Sequence, residues 1–217
     1  MTIIFLSVFI VLPATCQNWD STMYDKYNYK TVLTYTPAQQ RINPDSIDIP
    51  LMNALVFYET NRQRVLNKLP EFKHSTLLEK CAQGHSDDMN HYNFFSHKSV
   101  VKGKETMTDR LKLVGLENIA CAENINNYYM LPFNDKPYYP PSQVGRFENE
   151  DREPIEVYTY IDMAKALVDA WMHSKGHRAN ILNKSLTRLG AGNSVYYKGE
   201  GIDKVPYIYS TQNFGTF

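Results

Sequence analysis

The chain has 217 residues, enough for a single domain with a sizeable core. Lysine plus arginine equals aspartate plus glutamate at 23 each, so the formal net charge is zero. A nucleic-acid-binding domain normally carries a basic excess or a basic stripe. The composition therefore predicts no nucleic-acid partner.

The N-terminus has the pattern of an export signal. Residues 3–12 are almost wholly apolar and are followed by helix-breaking and small residues, although no lysine or arginine precedes the run. Such a run of about ten residues is too short to span a bilayer but suits a signal peptide. We predict a signal peptide over 1–16, a secreted protein (extracellular or periplasmic) and no transmembrane segment. The alternative is lipidation of Cys16, a motif that Pro13 and Thr15 fit poorly.

Cleavage after Cys16 would leave two cysteines, Cys81 and Cys121. In an exported protein such a pair can form a disulfide. Two small thiols buried on core faces are an equal alternative, because free cysteine is among the most buried residue types. The sequence leaves both possibilities open, but two cysteines alone cannot form a structural zinc site.

The first half of the chain is predicted to be helical after a polar start. Residues 17–47 are rich in tyrosine and asparagine, and we predict an extended N-terminal arm. An apolar stripe of helical period begins at Ile49 and is ended by Pro70. A second helix follows, with Ser75 as its N-cap. His85 lies on the inward face of this helix, where a hydrogen-bonded core histidine is a better interpretation than a ligand.

The second half of the chain mixes helices and strands. A short helix is predicted over 106–114 and a short strand over 119–125. The strand leads into 126–157, a Tyr/Pro-rich insertion that we predict to be a surface loop, a kind of segment that is usually functional or disordered. The remaining predicted elements are a helix over 158–173 that Gly176 ends, a helical turn over 178–182 and a closing hairpin within 189–211. This order indicates an α+β layered domain.

Four motifs place polar residues at junctions between these elements. They are Phe94-Phe95-Ser96-His97, Ala122-Glu123-Asn124-Ile125, the segment from Trp171 to Leu182, and the segment from Tyr209 to Phe214. Their order and spacing resemble the CAP superfamily of cysteine-rich secretory proteins, antigen 5 and plant pathogenesis-related proteins, and most closely its bacterial secreted branch with an SCP-like domain. The resemblance implies a three-layer α-β-α sandwich with a central antiparallel sheet, which we assign to a domain over 48–217.

The resemblance also implies a cleft where two histidines and two acidic residues meet. By position His97 and His177 match the histidines and Glu123 the first acid, whereas Ser174 stands where many animal and plant members carry the second acid. We predict a ligand-binding cleft formed by His97, Glu123, Ser174, His177 and Asn180. Two imidazoles and a carboxylate can hold Zn²⁺ or another divalent cation, so His97, Glu123 and His177 are the candidate metal ligands. Without a metal, Glu123 would orient an imidazole by accepting its N–H.

These residues favour a binding module over an enzyme. Ser174 cannot act as a general base, so we assign no catalytic residue and expect a small-molecule, lipid or protein ligand at the cleft. The alternative is a zinc-dependent, peptidase-like hydrolase that uses the same cluster, with Glu153 or Glu156 of the insertion supplying the missing acid. For Asn180 and Gln212 a structural role is favoured.

Overall fold

The structure is a computed structural model that describes residues 19–133, 136, 138–139 and 147–217. The predicted signal peptide, the cysteine at its end and the middle of the Tyr/Pro-rich insertion lie outside the described residues. The helices are α1 (Ile49–Leu66), α2 (Thr76–His91), α3 (Met107–Leu113), α4 (Tyr160–His173) and α5 (Lys175–Ile181). The strands are β1 (Lys73–His74), β2 (Ala120–Tyr129), β3 (Arg188–Lys198) and β4 (Val205–Thr216). None of the helices in the described ranges is long and apolar enough to cross a membrane.

The strands form one sheet in the order β1-β3-β4-β2. The pairs β3–β4 and β4–β2 are antiparallel, as the resemblance implied, whereas the two-residue β1 runs parallel to β3 at the edge. The predicted strand over 119–125 was too short, because β2 pairs with β4 as far as Tyr129, opposite Tyr207. The first residues of the predicted surface loop therefore belong to the sheet.

Helices cover both faces of this sheet, which gives the three layers. Helix α2 packs against the face that contains Gly190 and Gly192, where an added Cβ would lie 1.9 Å and 2.1 Å from the α2 backbone. These two glycines are needed for that close approach. On the other face, Leu189, Ala191 and Phe214 pack into the main core with α1 and α4.

The N-terminal segment is not the extended arm predicted from its polar composition. Residues 21–46 contain four short 3-10 helices. Most of the few apolar residues of the segment are buried in the core, and these are Trp19, Met23, Val32, Ala38 and Ile42. The ring of Trp19 packs edge-on against Tyr58 of α1, with a centroid distance of 6.0 Å. Burial of these side chains stabilises a polar segment that would otherwise remain extended.

The helix boundaries near the predicted cleft follow local capping. Ser75 accepts a hydrogen bond from Leu78 N–H at the start of α2, which confirms the predicted N-cap. Helix α4 ends at His173, and Ser174 lies between α4 and α5 with an extended backbone. Gly176 does not end the helix predicted over 158–173 but lies inside α5, so α5 is longer than the helical turn predicted over 178–182.

Candidate functional site

The segment after α2 brings His97 to Glu123 of the central sheet. Asn93 ends the helix with a positive φ of 51°, a conformation that asparagine tolerates better than most residues. His97 Nδ1 lies 3.0 Å from Glu123 Oε1. The His97 side chain is 55% exposed and that of Glu123 only 4%, so a buried carboxylate holds an imidazole at the surface. Because Nδ1–H donates to Glu123, the Nε2 lone pair of His97 is free to face a ligand.

The carboxylate of Glu123 is bonded through both of its oxygens. Oε2 accepts a 2.7 Å hydrogen bond from Arg110 Nη2, and the Arg110 side chain is as buried as Glu123, at 3% exposed. Asn213 on the neighbouring strand β4 donates to Oε2 over 3.0 Å and accepts from Ala82 N–H over 3.1 Å, in the amide orientation that satisfies both groups. The site thus contains a buried ion pair with additional hydrogen bonds, which is the arrangement that makes a buried charge tolerable.

Electrostatics keep Glu123 ionised. Burial acts to raise the pKa of its carboxyl group, but the hydrogen bond from His97 and the positive charge of Arg110 outweigh burial, so the pKa lies below its ordinary value. A general base that must take up a proton near neutral pH needs a pKa close to that pH. Glu123 is therefore suited to hold and orient its neighbours rather than to exchange protons.

His85 of α2 lies directly behind the His97–Glu123 pair. Its ring is fully buried, and its Nε2–H donates to the carbonyl oxygen of Ser96 over 3.1 Å, which confirms the predicted core histidine. Its Nε2 is 3.8 Å from Glu123 Oε1. Burial lowers the pKa of His85 to about 4, so the ring is neutral at physiological pH and supports the segment that carries His97.

His177 lies near His97 but does not touch Glu123. Burial, followed by the electrostatic interaction with His97, lowers the pKa of His177 below its ordinary value, so the two imidazoles are close enough to interact electrostatically. Within the described part of the chain, His177 forms no ion pair with Glu123. Ser174 is half-buried before α5 and makes no capping hydrogen bond with its hydroxyl. The structure thus places His97 and Glu123 in contact and His177 beside them.

Asn180 belongs to a buried amide network that fixes α5 against the sheet. Its Nδ2 donates to Asn124 Oδ1 over 2.9 Å, and Asn124 Nδ2 donates to Gln212 Oε1 over 3.0 Å and to the carbonyl of His177 over 3.2 Å. Gln212 Nε2 in turn donates to Thr60 Oγ1 of α1 over 2.6 Å. The favoured structural roles of Asn180 and Gln212 agree with these bonds, and the network also holds the backbone of His177.

The predicted metal ligands fit a three-ligand site poorly in this arrangement. Both Glu123 oxygens are engaged by protein donors, and no group of three or more His, Cys, Asp or Glu side chains in the described ranges is arranged to hold a metal ion. The geometry corresponds to the alternative in which Glu123 orients His97. If a divalent cation binds here, His97 Nε2 and His177 are the side chains that would hold it, with Glu123 bonded to the other nitrogen of His97. Metal binding remains a prediction.

Sequence reasoning missed Arg110 and Asn213. A signal for Arg110 was present, because Met107, Arg110, Leu111 and Val114 follow the i, i+3, i+4, i+7 spacing of one helix face. A buried carboxylate requires a cation, and Arg110 is the cation on that inward face. For Asn213 no comparable signal exists, since its contact depends on the register between β2 and β4.

The cysteines of the described region are both unpaired. Cys81 is buried in α2 and Cys121 is exposed on β2. Of the two alternatives that the sequence left open, the structure shows free thiols, although only Cys81 is buried. Burial raises the pKa of Cys81 to about 12, so its thiol stays protonated and unreactive at neutral pH.

Comparison with known proteins identifies the family of this chain. The model of the CAP family, described as the cysteine-rich secretory protein family, matches residues 57–214. Two proteins of Bacillus subtilis (strain 168) are similar to this chain. The uncharacterized membrane protein YlbC is 29% identical over 155 residues, which are 71% of this chain and 32% of that protein. The uncharacterized protein YkwD is 29% identical over 133 residues, 61% of this chain and 38% of that protein. The matches thus span only about a third of the length of these relatives.

A solved structure supports the fold. An extracellular protein containing an SCP domain from Bacillus anthracis str. Ames superposes with a TM-score of 0.53 at 26% sequence identity, covering 82% of this chain and 45% of that protein. The resemblance and the fold predicted from the four motifs are confirmed. The chain belongs to the CAP, or cysteine-rich secretory protein, family.

Proposed function

We propose that the chain is an exported binding module whose cleft, formed around His97, Glu123 and His177, holds a small ligand or a divalent cation without turning over a substrate. The observation that carries the proposal is the state of Glu123. Its two oxygens are bonded to His97 and Arg110, and its carboxylate is held ionised by these neighbours. A carboxylate with these bonds orients an imidazole and has little capacity to accept a proton from water.

Export is supported by the apolar leader and by the similarity to an extracellular SCP-domain protein. The proposed recognition groups are the Nε2 atom of the exposed His97 and the imidazole of His177. Neutral imidazole nitrogens are common metal ligands and can also accept hydrogen bonds from a polar ligand. Ser174 and Asn180 lie on the same segment as His177 and would form the adjoining wall of the cleft.

The alternative, a zinc-dependent hydrolase, requires an acid that is free to act as a base. Glu123 is occupied, and among the described residues neither Glu153 nor Glu156 forms a hydrogen bond or ion pair with His97, Glu123 or His177. Glu153 is exposed and its backbone N–H is bonded to Asn149, and Glu156 lines a separate cavity with Arg41. Since none of these three carboxylates is placed to act as a general base, the site favours binding over hydrolysis.

The test is a calorimetric titration of Zn²⁺ into the wild type and the His97→Ala/His177→Ala double variant, with hydrolysis of peptide and ester substrates measured on the same samples. His91→Ala is the matched control, because His91 is an exposed histidine at the end of α2. We expect binding that is weakened at least about tenfold in the double variant, unchanged in the control, and accompanied by no turnover. Equal zinc binding by all three proteins would show that the cleft histidines do not bind the metal. Turnover that is lost only in the double variant would show that the cleft is catalytic.

A further inference from the structure

A second concave site lies between α2 and α3, with Arg110 in its wall. Its volume is about 200 Å³, and it is open to solvent. The residues that line it are Lys80, Cys81, Gly84, Lys104, Arg110, Leu113 and Val114. Of the residues that form the His97–Glu123–His177 cleft and its supporting bonds, it shares only Arg110.

Gly84 keeps this cavity open. It lies in the middle of the 16-residue helix α2, where glycine is less favourable than alanine by about 1 kcal/mol. Its φ is not positive, and a Cβ placed on it would meet nothing within 4 Å. Neither backbone conformation nor close packing therefore requires glycine here. The consequence of its missing side chain is the space between α2 and α3.

The polar side of the cavity is cationic and partly unsatisfied. Arg110 is 3% exposed, and its Nη atoms bond to Glu123 and to backbone carbonyls, but its buried Nε has no partner among the described residues. Lys104 is neutralised by Asp88, with Nζ 2.8 Å from Oδ2. Lys80 forms no ion pair with any residue that the structure describes. An anion placed here would meet one unpaired ammonium and one buried N–H donor, both of which favour a carboxylate.

The opposite side of the cavity is apolar. Leu113 is 65% exposed, and Val114 lies beside it, so the two side chains offer apolar surface on this side of the cavity. Cys81 forms part of the wall as a neutral thiol, because burial raises its pKa to about 12. A ligand with an apolar body and one anionic group would match both sides.

We propose that the cavity between α2 and α3 binds a small organic carboxylate with a short apolar or aromatic body, with its carboxylate bonded to Arg110 Nε and Lys80 and its apolar part against Leu113 and Val114. The size is appropriate, since an enclosed apolar cavity of about 150 Å³ is known to accept benzene. Arg110 also donates a hydrogen bond to Glu123, which in turn orients His97. A ligand in the cavity would therefore affect the orientation of His97 through Arg110. This proposal does not depend on what the cleft binds.

The experiment uses benzoate and hexanoate as probes, with benzyl alcohol as an uncharged match for benzoate. Binding is followed by amide chemical shifts of the ¹⁵N-labelled protein at low and high salt. We expect saturable shifts in α2 and α3 with benzoate, weaker binding at high salt, and binding of benzyl alcohol at least about tenfold weaker, because the hydrogen bonds to a charged group are lost.

Two pairs of variants test the assignment. Gly84→Leu fills the cavity and is expected to abolish the shifts, whereas Gly84→Ala adds one methyl group and retains them. Lys80→Gln is expected to weaken benzoate about tenfold, while the same change at the exposed Lys102, which does not line the cavity, has no effect. The His97→Ala/His177→Ala variant should bind benzoate like the wild type, which separates this site from the cleft.

The proposal is overturned if benzoate gives no saturable shifts at millimolar concentration, or if Gly84→Leu binds it as tightly as the wild type. Circular dichroism and a thermal melt establish that Gly84→Leu is folded. If it is not, equal benzoate affinity in Lys80→Gln and the wild type overturns the proposal instead.

Discussion

Protonation of His85 should destabilise the protein as the pH falls below neutrality. The ring is fully buried behind the His97–Glu123 pair, and burial, followed by the charge of Arg110, lowers its pKa from 6.5 to about 4 against the opposing effect of Glu123. In the unfolded chain the same histidine would titrate near its ordinary value. Between these two pKa values the unfolded state binds a proton that the folded state does not. The free energy of unfolding therefore decreases as the pH is lowered through this window.

The magnitude follows from the difference between the two pKa values. The difference between a pKa of 6.5 in the unfolded chain and about 4 in the folded protein corresponds to about 3 kcal/mol in the free energy of unfolding. This contribution is fully present above pH 6.5 and is lost as the pH falls to about 4. The slope within the window approaches about 1.4 kcal/mol per pH unit. Glu123 adds in the same direction at lower pH, because its own pKa is depressed in the folded state.

The assay is urea denaturation at half-unit pH steps from 7.5 to about 4 for the wild type and His85→Gln. Glutamine keeps an N–H donor for the Ser96 carbonyl but does not titrate. We expect the variant to be less stable at pH 7 but to have a shallower pH dependence, so that the two curves converge at low pH. His91→Gln, at an exposed histidine of the same helix, should leave the slope unchanged. Parallel curves for the wild type and His85→Gln would refute a depressed pKa at His85.

Three further predictions concern stability and are checked by urea unfolding. Gly192→Ala places a Cβ 2.1 Å from the α2 backbone and should lower the free energy of unfolding by about 3 kcal/mol or more. Gly84→Ala adds its Cβ in open space and should stabilise α2 by up to about 1 kcal/mol. Equal effects of the two changes would contradict the close approach of α2 to Gly192. Arg110→Met leaves Glu123 buried without its cation and should cost about 3–5 kcal/mol at pH 7, with a smaller loss at a pH where the carboxyl group is protonated. Gln212→Leu breaks the buried amide network and should cost about 1–3 kcal/mol, and an unchanged stability would show that the network is dispensable.

The sequence predicted those parts of the fold that depend on local patterns. Helices α1 and α2 were found because their apolar residues recur with helical period and because Pro70 and Ser75 mark a stop and a start. The full length of β2 was missed because Asn126 to Tyr129 are polar or aromatic and resemble a loop, while their strand conformation comes from pairing with β4. The N-terminal segment was misread for a similar reason, since its few apolar residues are ordered by contacts with α1.

For the candidate site, sequence reasoning indicated the central residues but left open whether Glu123 holds a metal ion or orients an imidazole. The four motifs indicated His97, Glu123 and His177, and the structure brings the first two into contact. What decides the chemistry is the occupancy of the Glu123 oxygens by Arg110 and Asn213, and both contacts are tertiary. Arg110 was detectable as a cation on the inward face of a predicted helix, whereas Asn213 depends on strand register.

The most direct test of whether the cleft binds without catalysing a reaction is a turnover measurement on the intact cleft. Wild-type protein saturated with Zn²⁺ is assayed against peptide, ester and amide substrates beside the His97→Ala/His177→Ala variant and a chelator-treated sample. Because both oxygens of Glu123 are bonded to His97 and Arg110, we expect equal background rates in all three samples. Substrate hydrolysis that needs the metal, disappears in the double variant and persists in His91→Ala would contradict this expectation.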